Sequence, residues 1–407
     1  MTCRHCRALL EHTFLDLGFA PPSNAYLRAD DLNRPERYYP LKVKVCEQCW
    51  LVQTEDYAQA DELFDAEYAY FSSTSPGWLA HASRYVEKMI QQLSLDRDSL
   101  VIEVASNDGY LLKNFVQAEI PCLGIEPTAS TAAAAEQLGI PVLREFFSEQ
   151  LGRQLASEAT QADLIVGNNV YAHVPDINNF TQGLKAALKP GGVITLEFPH
   201  LMRLVEHTQF DTVYHEHFSY LSLYAVSRIF NTAGLRVWDV EELPTHGGSL
   251  RVYGCHENDA RQTSTAVDAL LEEESLCGLQ ILSTYQNFQA EADRLKDDLL
   301  LFLIEKKRVG KNIVAYGAAA KGSTLLNYAG VKPDLLPFVC DAATAKQGKY
   351  LPGSHIPILP PSALLRARPD FVLILPWNIA TEVKQQNADL AELGARFVTA
   401  IPRLEIQ

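Results

Sequence analysis

Ser99-Leu-Val-Ile-Glu-Val-Ala-Ser-Asn-Asp-Gly-Tyr-Leu-Leu112 reads as a buried strand, a tight turn and the start of a helix, the local geometry of a loop-to-helix ligand site. Of the glycines that a dinucleotide fingerprint needs, only Gly109 is present, so G-x-G-x-x-G is absent and NAD is disfavoured here. The next short strand, Cys122-Leu-Gly-Ile125, ends at Glu126-Pro127, twenty-three residues beyond Glu103. A carboxylate at that strand end is placed to accept both hydroxyls of an adenosine-type ribose. Asp163 to Gly167 is a further strand ending at Asn168-Asn169, and Lys189-Pro-Gly-Gly192 turns into Val193 to Phe198. Strands alternate with helices through residues 80 to 200, which makes the fold class α/β.

The chain around this stretch has 407 residues, 47% hydrophobic and 21% charged, as expected of a packed multidomain protein and not of disorder, collagen or coiled coil. Thirty-five Lys plus Arg against fifty Asp plus Glu give −15, so a nucleic-acid partner bound through counterion release is not expected. The longest nearly apolar stretch, Phe371 to Ala380, falls far short of the roughly 20 residues that cross a bilayer, and Pro376 breaks it. Met1 to Arg7 holds no apolar signal region; no membrane partner and a cytoplasmic location are expected.

Eight cysteines divide into two C-x-x-C pairs, Cys3/Cys6 and Cys46/Cys49, and four singles, Cys122, Cys255, Cys277 and Cys340, expected in cores. Two such turns complete the tetrahedral sulfur shell that zinc prefers, with no position open for catalysis, so structural Zn2+ is expected. Thirty-nine residues separate Cys6 from Cys46, room for a loop and the alternating strand Tyr39 to Val45. The alternative is two unrelated thiol pairs, reduced or redox active.

Thr212-Val-Tyr-His-Glu-His-Phe-Ser-Tyr220 concentrates ionisable and phenolic groups just after the alternating region. It is not H-E-x-x-H, so it does not set two imidazoles one helical turn apart for zinc. Instead it supplies a base in one of its histidines, an orienting or basicity-raising carboxylate in Glu216 and a phenol in Tyr214 for a developing oxyanion. Tyr68 and His173 lie in two other loop-like stretches able to share that pocket. The bland reading is a polar cluster capping a helix.

Leu279, Leu282, Leu295, Leu299, Phe302 and Leu303 give helical spacing over a proline-free segment, a long connecting helix. Asn312 to Ser323 then repeats strand, turn and helix, and Leu336 to Asp341 follows as a second strand ending in an acid, which points to a second doubly wound unit. Lys321 precedes Gly322, the reverse of a P-loop, so ATP hydrolysis is a poor reading; the helix N-terminus with Lys321 still suits a pyrophosphate. His246-Gly-Gly-Ser-Leu-Arg251 adds a small-residue turn followed by a guanidinium.

Paired C-x-x-C knuckles, E-x-A-S-N-D-G (103–109), G-I-E-P (124–127), A-H-V-P-D (172–176), Y-H-E-H-F-S (214–219), H-G-G-S-L-R (246–251) and G-A-A-A-K-G (317–322), in that order, resemble the zinc-containing S-adenosylmethionine-dependent sugar C-methyltransferases. The donor-binding part alone resembles a class I methyltransferase. The resemblance spans essentially the whole chain and implies a zinc-binding domain (1–75), an S-adenosylmethionine-binding α/β domain with the catalytic loop (76–240) and a C-terminal Rossmann-like domain (241–407). It implies His217 as base with Tyr214 and Glu216 beside it, and Tyr68 and His173 at the reacting centre. The donor would lie against Tyr70, Phe71, Ser72, Glu103, Ala105, Asn107, Asp108, Gly109, Leu111, Glu126, Pro127, Phe147, Asn168 and Asn169. A nucleotide-linked, dTDP-type 4-keto-6-deoxysugar, methylated at C3, would lie against Asn169, His246, Gly247, Ser249, Arg251, Tyr316, Lys321 and Gly322. A monomer or small homo-oligomer is expected. Ala105 stands where that superfamily has a glycine, and it fits the turn if its φ is negative. Two competing readings are an NAD-dependent nucleotide-sugar oxidoreductase, through the C-terminal turn and Asp341, and a non-catalytic zinc-organised binding protein.

Overall fold

The computed structural model describes residues 1–55 and 72–407. Its N-terminal part is built on strands β1 (His12–Ala20), β2 (Tyr39–Val45) and β3 (Val52–Thr54), paired antiparallel in that order. β2 is the strand expected from its alternation: Leu41, Val43 and Val45 are buried while Lys42 and Lys44 face outward. β1 was not foreseen. Each C-x-x-C knuckle closes with the same turn, the amides of Arg7 and Trp50 donating to the carbonyls of Cys3 and Cys46. Both closing residues have positive φ, 65° and 60°.

The central sheet contains β4 (Val101–Val104), β5 (Cys122–Ile125), β6 (Val142–Leu143), β7 (Ala162–Asn168) and β8 (Leu188–Pro199), all parallel. The next strand, β9 (Ser219–Tyr220), leaves this sheet and pairs with β3 (Val52 with Tyr220, Gln53 with Ser219), completing the N-terminal sheet. The histidine-rich stretch is thereby strapped between two domains. The chain then returns as β10 (Leu235–Leu243) and β11 (Ser249–His256), giving the order β10-β11-β8-β7-β4-β5-β6 with β11 antiparallel to both neighbours. The expected division at residue 240 therefore falls inside β10, and the central sheet extends to His256. Because β5 and β7 flank β4, a crossover crevice opens at the carboxyl ends of β4 and β7.

The long helix is present as Leu282–Arg308, 27 residues, and its stripe Tyr285, Phe288, Ala292, Leu295, Leu299, Phe302 and Leu303 is buried. One end of the stripe stacks Phe288 on Phe14 of β1 at 4.5 Å. The other sets Phe302 edge-on to Phe371 at 5.3 Å, so one helix joins the zinc end to the C-terminal core. That core holds β12 (Ile313–Tyr316), β13 (Val339–Cys340), β14 (Ile358–Leu359), β15 (Phe371–Ile374), β16 (Arg396–Thr399) and the antiparallel β17 (Glu405–Ile406). The order β14-β13-β12-β15-β16-β17 is doubly wound, with a second crevice at the ends of β12 and β15. Gly317 sits there with φ 89°, and a Cβ on it would lie 2.3 Å from Pro376 Cδ, so only glycine lets the two loops meet.

Of the isolated cysteines, Cys122, Cys255 and Cys340 are buried as expected, but Cys277, just past a helix end, is exposed. No helix among the described residues is long and apolar enough to cross a membrane.

Candidate active site and metal centre

The four knuckle thiols converge: Cys3 Sγ lies 3.5 Å from Cys49 Sγ, Cys6 Sγ 3.4 Å from Cys46 Sγ, and all four lie within 4.8 Å of one another. A tetrahedral ion with sulfur at about 2.3 Å needs sulfur–sulfur spacings of roughly 3.8 Å. The donor set fits Zn2+, and four sulfurs leave no position for chemistry. The centre also reaches the histidine stretch. The buried Arg4 guanidinium, from the first knuckle, donates to the carbonyls of Phe218 (3.2 Å), Pro175 (3.0 Å) and Thr54 (2.9 Å).

A cavity of about 1400 Å³ lies where the three parts meet. Its central-sheet wall holds Ala105, Asn107, Glu126, Pro127, Asn168 and Asn169, with Ser72 beside them. Ala105 has φ 58° and Asn107 φ 49°, so the expectation of negative φ at Ala105 fails. The alanine keeps a glycine-like turn at a strain of roughly 1–2 kcal/mol. Glu126 holds that turn, accepting from the amides of Asn107 and Thr128, each at 2.9 Å. Both amide atoms of buried Asn168 have no partner among the described residues, at the end of β7 and facing the cavity. A buried amide needs such partners, and a polar ligand in the cavity would supply them.

Glu103, Asp108, Gly109 and Leu111 do not line the cavity; they lie under the turn. Burial, with Glu126 and Asp108 nearby, raises the Glu103 carboxyl well above its ordinary value. Asp108 accepts from the Ser73 amide at 3.1 Å, and Leu111 is core. At Gly109 a Cβ would meet Ile140 Cδ1 at 2.5 Å. Phe147 reaches the wall but packs edge-on against Phe180 at 5.2 Å, whereas its neighbour Phe146, not foreseen, lines the cavity 56% exposed. Tyr68, Tyr70 and Phe71 lie outside the described residues.

His173, Tyr214, Glu216 and His217 all line the cavity. The His217 ring centroid is 4.0 Å from that of Tyr214 and 4.6 Å from that of His173. Its Nδ1 donates to the Thr212 carbonyl at 3.0 Å, leaving the lone pair on Nε2. Burial, then the neighbouring His173, lowers its pKa well below the ordinary histidine value, so the imidazole is neutral and can take a proton. Burial also lowers His173, to about 4. The orienting partner of His217 is a backbone carbonyl, not the expected Glu216. The Glu216 carboxylate instead accepts from Asn24 Nδ2 at 2.8 and 2.9 Å, a residue of the zinc-binding end for which the sequence carried no signal.

A model for a zinc binding domain matches residues 3–64, one for a methyltransferase domain residues 78–240, and one for a C-methyltransferase C-terminal domain residues 244–402. The C-methyltransferase NovU of Streptomyces niveus is 34% identical over 400 residues, covering 98% of this chain and 95% of NovU. The chain belongs to this C-methyltransferase family. Among solved structures, an S-adenosylmethionine-dependent methyltransferase of Anabaena variabilis shares 16% identity, with 49% of this chain and 96% of that chain covered and a TM-score of 0.39. Magnesium protoporphyrin IX methyltransferase of Synechocystis PCC 6803 shares 14%, with 44% and 83% covered and a TM-score of 0.36. The protein is an S-adenosylmethionine-dependent C-methyltransferase, which sets aside the NAD-dependent and non-catalytic readings.

The C-terminal wall of this C-methyltransferase presents Ala319, Ala320, Lys321, Lys346 and Asn378 from the second crevice. Lys321 Nζ donates to Asn378 Oδ1 at 2.7 Å and sits 4.6 Å from the Trp377 ring centroid. His246 faces the cavity with φ 55°, and burial lowers its pKa to about 4. Arg251 reaches the wall, but its guanidinium pairs with Glu197 (2.5 Å) and Glu241 (3.1 Å), so its charge is already matched. Glu197 also binds His81 (2.9 Å) and Thr245 (3.0 Å); although burial raises its carboxyl, His81 and Arg251 hold it at about 2. Gly247, Ser249, Tyr316 and Gly322 do not line the cavity. Ser249 Oγ donates to the Thr245 carbonyl, and Tyr316 lies in the C-terminal core. A Cβ on Gly322 would press on Leu375, and one on Gly247 would meet Trp377 at 2.3 Å. Trp78, His81 and Glu197 escaped sequence reasoning because nothing in their spacing marks them. Trp78 lies between His81 (4.9 Å) and Tyr110 (5.9 Å), an aromatic wall made only by folding.

Proposed function

We propose that the enzyme methylates a carbon next to the ketone of a nucleotide-linked 4-keto-6-deoxysugar, at C3 on a dTDP carrier. The observation that carries this reading is the neutral His217, its Nδ1 fixed on Thr212, in a cavity where the crevices of two doubly wound sheets face each other. Two crevices suit two ligands, a methyl donor on the central sheet and a nucleotide on the C-terminal one.

His217 Nε2 takes the proton α to the ketone, and the C–H electron pair moves into the ring carbon and the carbonyl oxygen. Tyr214, packed against that imidazole, donates to the developing oxyanion. Bound S-adenosylmethionine would supply an electrophilic methyl group on sulfonium, which the enolate carbon would take as the S–CH3 bond breaks and its electron pair leaves on the thioether sulfur of S-adenosylhomocysteine, the abstracted proton staying on His217. Glu126, Asn168 and Asn169 hold the donor, while Lys321 meets the diphosphate with a half-buried positive charge. Asn24 fixes Glu216 and His173 walls the reacting centre.

The test is mass spectrometry of the zinc-loaded enzyme with S-adenosylmethionine and a panel of dTDP-4-keto-6-deoxysugars, with NMR to find the methylated carbon. A product heavier by one methylene is expected. Donor binding without product from any member would discard this substrate class.

A further inference from the structure

Asp211 is fully buried beside the cavity, and nothing above employs it. Its Oδ2 accepts the indole N–H of Trp377 at 2.8 Å, and its Oδ1 has no partner among the described residues. Trp377 belongs to the loop after β15, and the Lys321 ammonium stands over its ring, tethered to Asn378 of the same loop. Burial pushes the Asp211 carboxyl up to about 6 against the pull of Lys321. Burial lowers Lys321 in turn, with Asp211 opposing. Each charge sustains the other inside the protein.

The same short turn, Phe210–Thr212, faces the base. The residue after Asp211 is Thr212, whose carbonyl holds His217 Nδ1. The next carbonyl, of Val213, accepts from Thr324 Oγ1 at 2.9 Å, on the helix Ala320–Tyr328 that carries Lys321 near its start. Trp377 is also braced by the turn after β10, where Gly247 leaves no room for a Cβ. One rigid turn thus touches the imidazole, the indole and the lysine helix.

We propose that Asp211 is a positioning residue for methyl transfer: its carboxylate fixes the Trp377 indole, over which the Lys321 ammonium is held facing the substrate diphosphate, while the turn it anchors sets His217 through Thr212. This rests on Lys321 being the diphosphate anchor. Capture of the nucleotide and aim of the base are then one structural element, and the donor site is independent of it.

Asp211→Asn keeps the shape and an acceptor for the indole but removes the charge; Trp377→Phe keeps the ring but removes the donor. In the zinc-loaded full chain, each is expected to raise KM for the dTDP-ketosugar about tenfold and to weaken dTDP binding by a similar factor. Affinity for S-adenosylmethionine by calorimetry should stay that of the parent enzyme. Unchanged KM in both variants overturns the assignment, as does an equal loss of donor affinity, which marks a merely structural role. If the parent enzyme neither binds dTDP nor turns over the panel, the nucleotide-sugar reading itself fails and takes this proposal with it; turnover by the parent with indifferent variants fails the proposal alone.

Discussion

Nδ1 of His217 lies 3.0 Å from the carbonyl oxygen of Thr212. A carbonyl only accepts, so the contact fixes the tautomer and leaves the lone pair on Nε2. A base whose proton-accepting atom is chosen by the backbone does not depend on a carboxylate partner.

His217→Ala should therefore lower kcat by about a hundredfold to ten-thousandfold while donor affinity stays within about twofold. Tyr214→Phe should also lower kcat, since the packed ring survives and only the oxyanion donor is lost. Product formation by mass spectrometry with parallel donor calorimetry measures both. Parent-like turnover in the two variants would remove the assignment.

Burial lowers the His217 pKa well below its ordinary value, so the active neutral form persists as pH falls and is lost only when pH drops through that lowered pKa. An ordinary histidine would lose about fourfold in its neutral fraction between pH 7.5 and 6. The enzyme should keep kcat nearly constant over that window, while KM rises as the Asp211 carboxyl, at about 6, takes up its proton. An acid limb centred near 6.5 would show that His217 titrates as an exposed group.

Zinc should be structural yet necessary for turnover, because Arg4 and the β3–β9 pairing hang the histidine stretch on the knuckle domain. Cys49→Ser should cost the zinc and most of the turnover, while the central-sheet donor site still binds S-adenosylmethionine. Metal analysis and calorimetry on the variant check this; full turnover without zinc would sink it.

Arg251→Met should destabilise the fold by about 3–5 kcal/mol by leaving Glu197 buried without its guanidinium. Urea unfolding gives the number. A loss below about 1 kcal/mol would mean that His81 and Thr245 suffice for Glu197.

Much of the fold was legible along the chain. The run Ser99 to Leu112 announces strand, turn and helix by itself, paired C-x-x-C spacing announces a sulfur cage, and the Tyr-His-Glu-His cluster announces proton chemistry. These are local signals, carried by neighbours in sequence. The left-handed Ala105 was misread because side-chain identity argues against that region, and only the closure of the turn on Glu126 imposes it. Ser249, Tyr316 and Arg251 look suited to a sugar or phosphate from their residue types, yet two turn from the cavity and the third is spent on carboxylates.

The sequence by itself determined the chemistry on offer: four thiolates for zinc, a donor-type βα turn, an imidazole beside a phenol, and a lysine at a helix start. Only the tertiary structure decided which groups cooperate, because each partnership joins distant positions. Asn24 meets Glu216, Asp211 meets Trp377, and Arg4 meets Phe218. Such pairs leave no periodic trace in the chain, since a hydrogen bond between distant residues constrains two positions in space and says nothing about the spacing between them in sequence.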